Sequence, residues 1–100
     1  MRILFICSFG LHRSRTAEFL YKDRYETKSA GLHNEERPVT KENVDWADKI
    51  IVMDSDQKFE LELRYPEAKK KIVSIDIPNI YSFNQPELIT LLKSKLKNIL

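Results

Sequence analysis

The sequence predicts an α/β protein: a four-stranded parallel sheet, doubly wound in the order 2-1-3-4, with helices on both faces. Three observations lead there. The short runs ILFIC (3–7), KIIVM (49–53) and KIVSI (71–75) are rich in Ile and Val and lack polar alternation, as strands buried on both faces do. Stretches with helical spacing separate them. Strand and helix therefore alternate, and right-handed crossovers restrict how such a chain can wind.

Taken in order, ILFIC is the first strand, and SRTAEFLYKDRY (14–25) reads as a helix with Ala17, Leu20, Tyr21 and the stem of Arg24 on one side. TKSAG (27–31), closed by Gly31, is a weaker second strand. Thr40 can cap a short helix that carries Val44 and Ala47, with Trp46 and Asp48 near its end. KIIVM supplies the third strand. Ser55 can cap a helix that presents Phe59 and Leu63 four residues apart. KIVSI is the fourth strand. Pro86 opens the last helix, in which Leu88, Ile89, Leu92, Leu96 and Ile99 recur at helical spacing, with Glu87 early and lysines late to suit the helix dipole.

One hundred residues, 42% apolar and 32% charged, describe a single soluble domain spanning 1–100 with one core. Seventeen basic and 15 acidic residues leave a net charge of +2, so no strong overall field exists. Lys69, Lys70 and Lys71, and Lys93, Lys95 and Lys97, cluster without interleaved aromatics and read as solvated faces, not a nucleic-acid surface. No apolar run suits a signal-peptide core or a membrane span, and the lone cysteine excludes an internal disulfide. A cytoplasmic protein with no membrane or nucleic-acid partner is expected.

In the predicted winding, ligands bind beyond the carboxyl end of strand one, where Cys7 lies. A cysteine ending an apolar run is usually a small buried hydrophobe. Here it opens CSFGLHRS, a loop between a strand and a helix start. The backbone N–H groups of Ser8, Phe9, Gly10, Leu11 and His12 can curl into a nest, and the helix dipole adds positive potential, together suiting a tetrahedral oxyanion. Arg13 adds a planar fork of donors for two phosphate oxygens. The same surroundings favour thiolate over thiol and make Cys7 nucleophilic. Ser14 can donate its hydroxyl to that sulfur, and Gly10 is free to take positive φ.

These residues resemble the low-molecular-weight protein tyrosine phosphatases, particularly a short microbial subgroup. CSFGLHRSRTAEFL is similar to the family's Cys-x5-Arg-Ser loop and Thr-Ala-Glu helix start. KSAGL (28–32) resembles its second strand, WADKIIVMD (46–54) its third, and IDIPNIYSFNQPELITLL (75–92) its acid loop and last helix. The resemblance implies a phosphatase that forms a phosphocysteine and needs no metal or other cofactor. Its substrate would be a phosphotyrosine protein or a small aryl phosphate. Cys7 would be the nucleophile, Arg13 the phosphoryl ligand and Ser14 the partner of the thiolate. Tyr81 would flank the substrate ring, or else be an exposed loop aromatic. Asp54 would cap the following helix or hold loops.

The chain also departs from the pattern. Phe9 and Gly10 stand where the family usually has glycine and asparagine, and Arg15 replaces a proline. Asn79 falls where the catalytic aspartate is expected, and an amide cannot protonate a leaving oxygen. Asp76, three residues earlier, is the candidate substitute acid; its alternative role is to stabilise a turn before Pro78. His12 would turn its side chain away while its backbone binds, and His33 reads as exposed loop. Two other functions compete. One is an oxyanion-binding module that has lost turnover. The other is a phosphocysteine carrier like the IIB components of sugar phosphotransferase systems, against which Arg13 argues. Arsenate reduction would need further cysteines or an external thiol.

Overall fold

A computed structural model describes residues 1–100. The strands are β1 (Arg2–Cys7), β2 (Glu26–Gly31), β3 (Lys49–Val52) and β4 (Ile72–Ser74), and the helices α1 (Arg13–Tyr21), α2 (Lys41–Trp46), α3 (Ser55–Arg64) and α4 (Pro86–Leu96), with a 3-10 segment at Pro66–Lys71. All strand pairs are parallel and the order is β2-β1-β3-β4, the winding expected from the sequence.

β1 is central, so its side chains supply both cores by alternation. Ile3, Phe5 and Cys7 face one layer with Tyr21 of α1 and Leu88, Leu92 and Leu96 of α4. Leu4 and Ile6 face the other, with Val44 of α2 and Leu61 of α3. β2 is an edge strand with Glu26 and Lys28 exposed, which explains its weak apolar signal. In register, Cys7 sits beside Gly31 at the carboxyl edge of the sheet.

Several local expectations change. α1 ends at Tyr21 and not at residue 25, because the amides of Arg24 and Tyr25 both donate to the Tyr21 carbonyl and turn the chain into β2. Thr40 caps α2 as expected, accepting from the Asn43 amide at 3.1 Å. Of the two residues expected to cap α3, Asp54 does so and Ser55 does not: Asp54 Oδ1 accepts from the Gln57 amide at 2.9 Å. Phe59 and Leu63 are exposed, and α3 buries Gln57 and Leu61 instead. Two residues along a helix turn the face by about 200°, and hydrogen bonds from Gln57 to the sheet edge hold this other face inward. Lys71 is not a free surface charge. Its Nζ donates to the carbonyls of Val44 and Ala47, closing the end of α2.

Candidate active site

The site grows from a contact between the chain's only two glycines. Gly10 has φ 67°, and a Cβ there would meet the Gly31 nitrogen at 2.8 Å. A Cβ on Gly31 would come within 2.5 Å of the Phe9 carbonyl carbon. The loop therefore lies directly on the end of β2.

Its carbonyls are then taken up one after another. Cys7 and Ser8 accept from the amides of Leu32 at 3.0 Å and His33 at 2.8 Å. Phe9 accepts from Asn34 Nδ2 at 2.6 Å, while Asn34 Oδ1 receives the amides of Glu36 and Arg37. The N–H groups of Ser8, Phe9, Leu11 and His12 donate to no acceptor in the protein. Only the Gly10 amide between them is bonded, to Cys7 Sγ, so this loop at a helix start offers four free donors, an arrangement able to cradle an anion.

Cys7 is buried, and its Sγ accepts from the Gly10 amide at 3.1 Å and lies 3.1 Å from Ser14 Oγ. Either atom of the Ser14 pair can be the donor; a thiolate at this position would accept from both groups. Arg13, only 3% exposed, donates from Nη1 to the Ile77 carbonyl at 2.7 Å, with Asp54 Oδ2 3.6 Å from the same nitrogen. The rest of its fork meets no acceptor in the protein. Asp54 thus serves two elements: one oxygen caps α3 and the other faces Arg13. Together Cys7, Phe9, Leu11, His12, Arg13 and Asn79 line a pocket of about 230 Å³.

The other expected site residues divide. Asn79 lines this pocket. Asp76 is exposed, has φ 54°, and makes no side-chain hydrogen bond; it lines an adjoining cleft of about 310 Å³ shared with Arg13, Asp54 and Asn79. Tyr81 is separate from both. It packs on the core and lines a cleft along α4 with Pro86 and Leu91. His12 sits at the N-cap of α1 without a side-chain capping bond.

Sequence reasoning missed Asn34 and Gln57. Asn34 lies in the polar stretch HNEERP, where Asx turns are common. Gln57 is buried, accepts from the Met53 amide at 2.8 Å through Oε1, and donates through Nε2 to Ser8 Oγ at 3.2 Å. A polar residue on the inward face of α3 gave no apolar signal to read.

No family model and no curated protein matches the chain. Solved structures do. The YwlE arginine phosphatase from Geobacillus stearothermophilus is 25% identical over 97% of this chain and 93% of its own, with a TM-score of 0.76. A low molecular weight protein tyrosine phosphatase from T. tengcongensis is 24% identical over 100% of this chain and 99% of its own, with a TM-score of 0.82. Wzb from Vibrio vulnificus, in complex with benzylphosphonate, is 20% identical over 97% and 94%, also with a TM-score of 0.82. The chain has the fold of the low molecular weight protein tyrosine phosphatases.

Proposed function

We propose that this protein hydrolyses phosphomonoesters through a phosphocysteine on Cys7. One observation carries the reading: a cysteine sulfur in contact with the Gly10 amide and the Ser14 hydroxyl lies in a pocket with unpaired loop amides and the remaining donors of Arg13. Its similarity to solved phosphatases of the same fold supports it.

The thiolate attacks phosphorus, and the ester P–O bond breaks with its electron pair leaving on oxygen. Arg13 and the amides hold the equatorial oxygens, where charge is spread in the transition state. Water then attacks the phosphorus. The P–S bond breaks, inorganic phosphate leaves, and sulfur departs as a thiolate supported by Ser14 and the Gly10 amide. A lone nucleophilic thiol favours a reducing compartment, which suits the cytoplasm.

The leaving oxygen receives least help. Asn79 lines the pocket and has no acidic proton, while Asp76 lies in the next cleft. This arrangement favours aryl over alkyl phosphates, and most of all those of acidic phenols, because an alkoxide is a far poorer unprotonated leaving group than a phenolate. Phe9 and Leu11, 55% and 50% exposed, form an apolar lip for the ring in place of Tyr81. Phosphotyrosine proteins and small aryl phosphates are the substrates that fit. Phosphate release is to be measured from aryl and alkyl phosphates and phosphoarginine, with wild type and Cys7→Ser, together with acid trapping of a phosphorylated cysteine. Cysteine-dependent release from aryl esters is expected. Phosphate binding without release from any substrate would leave a binding module instead.

A further inference from the structure

At the far end of α1 from the phosphate loop lies a cleft of about 620 Å³ between α1 and α4. Its apolar lining is Leu20, Tyr21, Leu96 and Leu100; its polar lining is Arg24, Lys93 and Lys97, and the only carboxylate on a lining residue is the chain terminus of Leu100, which pairs with none of the three cations. None of the three cations is in an ion pair or side-chain hydrogen bond. Lys93 and Lys97 are four residues apart on one helix face, where like charges repel. The dipole of α4 rewards cations near its end. That accounts for lysines on α4, but not for their facing an apolar floor, nor for Arg24 joining them from another element. The Arg24 guanidinium lies 5.8 Å and 5.6 Å from the ring centres of Tyr21 and Tyr25, which hold it without cancelling its charge.

We infer that this cleft binds an amphiphilic anion: a single molecule with an acyl or aryl body on the Leu20–Tyr21–Leu96 floor and a carboxylate or phosphate head among Arg24, Lys93 and Lys97. The volume lies within the usual range for small-ligand sites, roughly 300–1,000 Å³. A concave cleft suits one free molecule better than a flat bilayer surface. The site shares no residue with the thiol pocket, so its occupancy is independent of whether Cys7 turns over any ester.

The test is titration of the full chain with decanoate, with decanol, and with vesicles containing anionic phospholipid, followed by amide NMR shifts. Decanoate should bind saturably below its micelle concentration and shift Leu20, Tyr21 and Leu96, with decanol at least about tenfold weaker. Lys93→Glu with Lys97→Glu should weaken decanoate by about tenfold or more and leave decanol unchanged. Both lysines are exposed, so the amide spectrum should stay folded; Lys93→Gln with Lys97→Gln gives a milder check in the same direction. Equal binding of decanoate and decanol, indifference to both double variants, binding to vesicles alone, or no saturable decanoate binding would each overturn the inference.

Discussion

Two segments meet at the thiol pocket, Cys7–Ser14 from one side and Asp76–Gln85 from the other. In the first, three successive carbonyls are bonded by residues 32–34, the sulfur has two partners, and Arg13 is anchored at Ile77. In the second, Ile77 is tied to Met53 and Asn84 to Thr16, but residues 78–81 between them make no hydrogen bond at all. Ile80 is 75% exposed. One side is braced where, in the proposed mechanism, phosphoryl charge is held; the other is loosely tied where the leaving group would sit. Segments with few bonds and little burial open most readily. On the proposed function, the contrast means that the groups for anion binding are preorganised and those for proton donation are not.

The sharpest way to break the braced side is Arg13→Lys. Lysine keeps the charge but loses the fork that spans two oxygens and the bond to Ile77. Turnover should fall by about a hundredfold or more, like the loss of an oxyanion donor. Assays on an aryl phosphate settle it, and near-normal rates would show that the fork is not used.

Gly31→Ala tests the brace itself. Its Cβ would collide with the Phe9 carbonyl carbon, so the loop must lift. Overpacking of this kind costs about 1–3 kcal/mol. Denaturant melts should show that loss, and protection of Cys7 from iodoacetate by phosphate or vanadate should weaken in parallel.

On the loose side, rates across phenols of rising pKa should fall steeply in wild type. General acid catalysis is worth about a hundred- to ten-thousandfold when present. Asn79→Asp should therefore raise rates on poor leaving groups, by about tenfold even if imperfectly aligned. Asp76→Asn should change little. A shallow wild-type slope made steep by Asp76→Asn would assign the acid to Asp76.

The smallest effect belongs to the opposite edge of the sheet. The Arg2 amide donates to Asp48 Oδ2 at 2.8 Å, and that bond, with the Arg2 charge, holds the carboxyl below its ordinary value of 3.8. A carboxyl lowered on folding stabilises above its unfolded value and loses that contribution as pH falls through its folded value. Asp48→Asn should lower the melting temperature slightly at neutral pH, with the difference closing in acid and turnover unchanged.

The sheet order was legible because ILFIC, KIIVM and KIVSI are uninterrupted and lie at spacings only crossovers can join. The loop was legible because Cys7, Arg13 and Ser14 are close in sequence. Gln57 was not, since its partner Ser8 is 49 residues away and comes within reach only once α3 docks on the sheet. Nor was the outward turn of Phe59 and Leu63, because an exposed i,i+4 apolar pair has the same spacing as a buried one. Tyr81 was assigned by resemblance, and its packing against α4 depends on how the loosely bonded 78–81 stretch runs.

Because β1 is both central and first in order, it has a period of exposure during synthesis. At about 5–20 residues per second, the second of its two partners, β3, follows only after some seconds. Until then Ile3–Ile6 lack one of their two neighbours, and the Cys7 loop lacks the Gln57 and Asp54 contacts that brace Ser8 and Arg13. A nascent chain stalled between β2 and β3 would thus carry an open sheet edge beside a half-braced thiol, the state most open to aggregation or to oxidation.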